Sequence, residues 1–248
     1  MLRGVIFDLG STLIYNAYDH RWNAVFPRMC ADLLGNLQAA GYDLDGAAFV
    51  NRFAAKLYEF DQQRQTDWVE YTARWLLTAT LAELGAPPPT PQLLREALEA
   101  YYGYSESLWR PMPGLHETLG RIAAAGLKLA IISNAGDDDN VQRLIDIAQV
   151  RPYFDPIVVS AAVGIRKPNP KIFEMVLGRW NLPPESCVMV GDTLGSDILG
   201  AQMAGLHNVW LTAHADHPAN HAHRGNIIPE AEIGALEELP GLLSKWAT

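Results

Sequence analysis

The chain has 248 residues, 49% of them hydrophobic, enough for one large domain or a core with an insert and a sizeable buried interior. Its net charge of -9 argues against nucleic acid or an anionic membrane as partner, because both would be repelled at long range, while a small anionic ligand remains open wherever a lysine or metal ion reverses the local field. The two cysteines, Cys30 and Cys187, lie far apart without metal-type spacing, Asp8 falls inside any would-be signal sequence, and no apolar run approaches about 18 residues; reduced thiols, neither export nor membrane spanning, and a cytoplasmic location are expected.

Val5, Ile6 and Phe7 read as a short buried strand that stops at Asp8, where Gly10, Ser11 and Thr12 break the apolar pattern. Strand carboxyl ends are where open parallel sheets bind ligands, so Asp8 is a chemical candidate, with a turn cap as the structural alternative. Trp22, Val25, Phe26, Met29, Leu33 and Leu37 then trace one helix face, which Gly41 ends. Phe49, Val50, Phe53, Leu57 and Phe60 predict a second helix. Trp68, Tyr71 and Trp75 begin a third that continues toward Leu81 and Leu84. After Pro87, Pro88 and Pro89, a fourth starts at Thr90 with Pro91 in its first turn and runs through Leu94, Leu98 and Tyr101. Residues 15–111 therefore read as an all-helical block without strand signal, its aromatics serving mainly as core.

Beyond Pro113 and Gly114 the pattern alternates. Leu115, Leu119 and Ile122 give a helix, Gly126 stops it, and Leu127 to Ile132 read as a buried strand running into Ser133 and Asn134. Val141, Leu144, Ile145 and Ala148 form a helix face, Ile157 to Val159 a strand, and Pro170 to Trp180 a helix. Val188 to Val190 is a strand ending at Gly191 and Asp192, and Val209 to Leu211 closes the strand list. Such alternation predicts an α/β fold in which residues 1–14 and 112–248 form a Rossmann-like, doubly wound parallel sheet core, with residues 15–111 inserted after the first strand as a helical cap.

Polar groups thus stand at three strand ends and in one loop: Asp8, Ser133 with Asn134, Lys167, and Asp192 with Asp197 behind it. Taken singly, a Gly-Asp turn, a Lys-Pro loop and a Ser-Asn helix cap are ordinary structure. Their order and types together resemble the haloacid dehalogenase-like hydrolase superfamily, on Phe7-Asp8-Leu9-Gly10-Ser11-Thr12-Leu13, Ile131-Ile132-Ser133-Asn134, Arg166-Lys167-Pro168-Asn169-Pro170 and Val190-Gly191-Asp192-Thr193-Leu194-Gly195-Ser196-Asp197. The resemblance spans the chain and implies a Rossmann-like core with the superfamily's C1 helical cap. It implies a Mg²⁺-dependent phosphatase acting on a small phosphorylated metabolite, with Asp8 as nucleophile of an aspartyl-phosphate intermediate. It further implies Asp8, the Gly10 carbonyl and Asp192 as metal ligands, Asp197 as their support, Ser133 and Asn134 on the phosphate, and Lys167 neutralising phosphate and nucleophile. A monomer or homodimer is expected.

One position departs from the pattern. Most phosphatases of the superfamily carry a second Asp two residues after the nucleophile, as acid and base, and here that position is Gly10. General acid-base help is worth about 10² to 10⁴ in rate, so substrates with good leaving groups, or another group such as His20 near the cap entrance, would have to compensate. Two alternatives follow: a catalytically weak binding or regulatory protein on the same fold, and a 2-haloacid dehalogenase, which needs neither a metal nor the acid pair and usually has a tyrosine where Gly10 stands. His214, His217, His221 and His223 lie in a polar loop that completes no zinc pattern. Arg21, Trp22, Trp109 and Arg110 flank the crossings between core and insert, as entrance lining or hinge packing, and Asp137 to Asp139 are expected to cap a helix.

Overall fold

The computed structural model describes residues 1–16 and 22–246. Among the described residues there are eight strands: β1 (Gly4–Phe7), β2 (Ile14–Asn16), β3 (Trp109–Pro111), β4 (Lys128–Ser133), β5 (Ile157–Val159), β6 (Cys187–Gly191), β7 (His207–Leu211) and β8 (Ala231–Ile233). Helices α1 (Trp22–Ala39), α2 (Gly46–Asp67), α3 (Ala73–Glu83) and α4 (Pro91–Glu106) lie between β2 and β3. The remainder are α5 (Leu115–Ala124), α6 (Asp138–Ile147), the one-turn α7 (Ser160–Val163), α8 (Pro170–Trp180), α9 (Leu199–Ala204), the one-turn α10 (Pro218–His221) and α11 (Leu239–Trp246).

Six strands form one parallel sheet in the order β5-β4-β1-β6-β7-β8. Numbered along the sheet-forming chain this is 3-2-1-4-5-6, the doubly wound order, and the direction of winding reverses between β1 and β6. Alternation along the strands feeds two apolar layers. Val5, Phe7, Ile131 and Val190 pack under α5, α6 and α11, while Ile6, Ala130, Ile132 and Met189 pack under α8 and α9. Both faces are covered, which is why the strands read as continuous apolar runs.

The four helices of the insert have an apolar cluster of their own, in which Leu33, Leu37, Phe49, Phe53, Leu77 and Leu81 are wholly buried. Each such side chain contributes about 1.5–3 kcal/mol, so this block is held by more than its attachment to the sheet. Side-chain caps set its helix starts: Asp45 accepts from the Ala48 amide, Thr72 from Trp75 and Thr90 from Leu93.

Three details differ from expectation. The block is not free of strands at its base, because β2 and β3 pair antiparallel with Ile14 opposite Pro111 and Asn16 opposite Trp109. Three-residue strands carry no readable period; pairing across the chain crossing creates them. Trp68 and Tyr71 are not helical either, since α2 ends at Asp67 and α3 begins after the Thr72 cap, with Trp68 in a left-handed conformation at φ 55°. The strand list does not close at Leu211: β8 adds to β7 through Ala231, Glu232 and Ile233, again too short for a pattern. Asp137 caps α6 as expected, accepting from the Asn140 amide at 2.8 Å.

Candidate active site

The reversal between β1 and β6 opens a crevice at the carboxyl edge of the sheet, and the two aspartates that end these strands, Asp8 and Asp192, stand on its two sides. Asp8 is anchored by its own amide, which donates to the Val190 carbonyl at 2.9 Å. The Asp192 carbonyl accepts from Trp210 Nε1 at 2.7 Å and Asn220 Nδ2 at 2.8 Å, so β7 and the loop after it hold the end of β6. Asp197 sits on a π-helical turn, Leu194–Ile198, and its Oδ2 accepts from the Thr193 amide at 2.9 Å. That turn folds back beneath β6 only because residue 191 is glycine; a Cβ there would collide with the Asp197 side chain.

Lys167 enters from the loop before α8. Its Nζ donates to Asp8 Oδ1 at 2.6 Å and to the Ile132 carbonyl at 2.7 Å, and lies 2.7 Å from Asp197 Oδ1. Side-chain oxygens of Asp8, Asp192 and Asp197 all lie within 4.8 Å of one another, and all three residues are buried. Three carboxylates therefore face one ammonium, which leaves the cluster anionic. Burial pushes the Asp8 carboxyl up to about 7; Lys167 opposes that rise, and Asp197 and Asp192 add to it. Burial also raises Asp192, against the pull of His217. For Lys167 burial works against the charge, but Asp197 and Asp8 outweigh it and hold the ammonium above its ordinary value. An all-oxygen, buried, net-negative donor set suits a hard divalent cation such as Mg²⁺, and the residues fit that ion.

Ser133 and Gly10 line the same cavity, whose volume is about 1080 Å³. Asn134 lines it too, but both polar atoms of its side chain are engaged. Its Nδ2 donates to the Lys167 carbonyl at 2.9 Å and its Oδ1 accepts from the Lys167 amide at 2.9 Å. The expected phosphate contact is thus a fastener of the lysine loop. The far wall comes from the insert, with Asp61, Arg64 and Trp68, and meets Arg166 of the core loop, and Trp109 closes over Gly10 at 3.5 Å from where a Cβ would stand.

Several participants were missed from sequence. The histidine loop is not simply solvated: His217 and His223 line the cavity, His217 Nε2 lies 3.4 Å from Asp192 Oδ2, His214 stacks on Tyr15, and His221 pairs with Asp216. Asn220, wholly buried, also accepts from the Leu194 amide at 2.7 Å; in the sequence it resembles any loop asparagine. Thr12 donates to Asp192 Oδ1 at 3.5 Å, foreshadowed by its place in the first motif. Arg110 donates to the Ser107 and Trp109 carbonyls and fixes the end of the insert, whereas Trp109 does line the cavity. His20, Arg21 and the side chain of Trp22 lie outside the described residues.

The chain is 38% identical over 148 residues to pyrimidine 5′-nucleotidase YjjG of Escherichia coli, covering 59% of this chain and 63% of that protein. It is 28% identical over 154 residues to a glyceraldehyde 3-phosphate phosphatase of Pyrococcus furiosus, covering 62% and 56%. The matches thus span little more than half of these relatives' lengths. A solved 2-haloacid dehalogenase from Pseudomonas syringae pv. Tomato superposes with a TM-score of 0.69 at 25% identity, over 99% of this chain and 100% of that one. A family profile matches residues 2–205, with Asp8, Ser133, Lys167 and Asp192 all inside that span: the chain belongs to the haloacid dehalogenase-like hydrolases.

Proposed function

We propose that the protein is a phosphatase that hydrolyses a small phosphorylated metabolite through an aspartyl phosphate on Asp8. The observation that carries this reading is the clamp on Lys167, whose ammonium touches Asp8 and Asp197 beside a third buried carboxylate. Attack by an Asp8 carboxylate oxygen on phosphorus forms the acyl phosphate and breaks the ester bond, and the leaving oxygen departs with a proton taken from water. Water then attacks phosphorus, releasing inorganic phosphate and restoring the carboxylate. Asp8, Asp192 and the Gly10 carbonyl would hold Mg²⁺, which when bound offsets the charge of the phosphate and of its transition state. Lys167 neutralises Asp8 and a phosphate oxygen, Asp197 orients Lys167, and the Ser133 hydroxyl donates to a second phosphate oxygen. Residues 15–111 act as the cap that covers the substrate and excludes water.

With glycine at position 10, no carboxyl stands there to protonate the leaving oxygen. This favours leaving groups that depart without help, such as acyl phosphates and sugar 1-phosphates, over simple alkyl phosphates. The relatives named for nucleotide and triose phosphate hydrolysis support phosphate as the reacting group. The likeness to a dehalogenase keeps carbon-halogen cleavage as a second reading, which leaves the acid pair Asp192 and Asp197 without a task.

The test is a phosphate-release and halide-release screen with and without chelator, run on the parent and on Asp8→Asn. Phosphate release that needs Mg²⁺ and falls below about one thousandth in Asp8→Asn is expected. Halide release that survives the chelator would establish the dehalogenase instead. Ligand binding without turnover across the panel would establish a binding protein.

A further inference from the structure

Outside the reacting cluster, another buried charge bridges the insert and the core. Glu70 lies in the strip between α2 and α3, yet its side chain is wholly buried against the far end of the sheet. Its Oε2 accepts from Ser160 Oγ at 2.7 Å, and the same hydroxyl accepts from the Ala135 amide at 2.9 Å. Ala135 directly follows the Ser133-Asn134 pair. Arg166, the residue before Lys167, brings Nη1 to 3.5 Å from Glu70 Oε2, and Arg64 of α2 brings Nη1 to 3.7 Å from Oε1. The backbone runs alongside: the Glu70 amide donates to the Gly164 carbonyl at 3.0 Å, the Arg166 amide to Trp68 at 3.1 Å, and the Ala73 amide to Gly136 at 2.7 Å.

One carboxylate carried by the insert is therefore one contact from the loop that presents Lys167 and two from the loop that presents Ser133. Its grip is incomplete. Among the described residues Glu70 Oε1 and Arg166 Nη1 are buried with no hydrogen-bond partner, although each lies at ion-pair distance from an opposite charge. A buried charge without its hydrogen bonds is costly, so a small movement of the insert that shortens these contacts is favoured and one that lengthens them is penalised.

We propose that Glu70 is a positioning residue: its carboxylate ties the seating of the cap to the placement of the Ser133 and Lys167 loops, so that closing over the substrate and aligning the phosphate-binding groups are one event. The proposal rests on the phosphatase reading for its kinetic consequence. Its structural consequence, that the two loops loosen together with the strip 67–73 when Glu70 is lost, does not depend on that reading.

Two variants of the full chain test it. Glu70→Gln keeps an acceptor for Ser160 but removes the charge facing Arg166 and Arg64; Glu70→Ala removes both. Steady-state kinetics with acetyl phosphate, whose leaving group is too small to need the cap for binding, should show kcat reduced about tenfold or more in Glu70→Gln with KM changed less than about threefold. Amide hydrogen exchange at Ala135, Glu70, Ala73 and Arg166 should accelerate together by about tenfold or more in Glu70→Ala, with β6 amides unchanged. If Glu70→Ala does not fold, the same exchange pattern is read in Glu70→Gln. A kcat within about twofold of the parent, a rise in KM alone, or acceleration confined to the strip 67–73 would overturn the proposal. A parent without phosphate release from any substrate would overturn the phosphatase reading, and the exchange rates alone would then decide on Glu70.

Discussion

The two walls of the cavity are built on opposite principles. On the sheet side Asp8, Asp192, Asp197 and Lys167 are all buried: Lys167 has three partners at 2.6–2.7 Å, and the Asp192 backbone carbonyl accepts two donors. On the insert side Arg64 reaches Asp61 through Nη2 at 2.6 Å, but both side chains remain about one third to one half exposed, and Trp68 stands in a turn rather than in a helix. A wall fixed by buried charge suits a reaction whose geometry cannot vary. One made of solvent-screened pairs and turn residues can differ between substrates without disturbing the chemistry.

If that contrast holds, substitutions should separate into large effects on kcat and small effects on KM. Lys167→Met should be the most damaging after loss of the nucleophile, lowering kcat by about 10² or more, because three carboxylates would then lack their only ammonium. A thermal melt of this variant, rising steeply with added Mg²⁺, checks that the loss is electrostatic. Gly10→Asp should raise alkyl phosphate turnover by up to about tenfold and leave acyl phosphate turnover unchanged, since the added Cβ meets only the Trp109 ring at an ordinary distance. A drop for both substrates would show that Trp109 cannot yield. Asp61→Ala should leave kcat within about twofold and raise KM about threefold for substrates with large leaving groups, in line with a partly exposed ion pair at the cavity wall.

The pH dependence of stability sharpens the contrast further. Asp8 has its pKa raised from 3.8 to about 7 in the folded protein, so its contribution favours folding at low pH and is lost as pH rises from about 4 through 7. Cation binding must displace that proton. If Mg²⁺ is held there, a concentration about 100 times its dissociation constant should stabilise by about 2.7 kcal/mol, or roughly 5–10 °C in melting temperature, and the shift should be largest near pH 8 and shrink toward pH 5. A shift independent of pH would place the ion away from Asp8.

The sheet was legible because its strands, buried on both faces, spell continuous apolar runs that stop at Asp8, Ser133 and Asp192. The helices of the insert were legible from period and caps, as at Thr90 and Pro91. Elements that owe their form to a partner were not: β2 and β3 exist by pairing with each other, and β8 by adding to β7. The same division applies to the site. Asp8 and Asp192 announce themselves by type and place at strand ends, and Lys167 and Asp197 by their place in the motifs, whereas Asn220 and Glu70 are ordinary polar residues until the fold buries them. Asn134 was visible but its task was not, because nothing in a sequence tells an amide that meets a ligand from one that meets a backbone.

That last residue carries a consequence for how the protein can vary. Because Asn134 grips the peptide groups on both sides of Lys167, the excursion of the loop 149–156, one part of the intervening residues 135–166, is bypassed by a direct splice between distant points of the chain. Changes of length or composition in that excursion should register as altered foldedness and leave the lysine where it is. Replacing the single amide should displace it while the excursion stays intact.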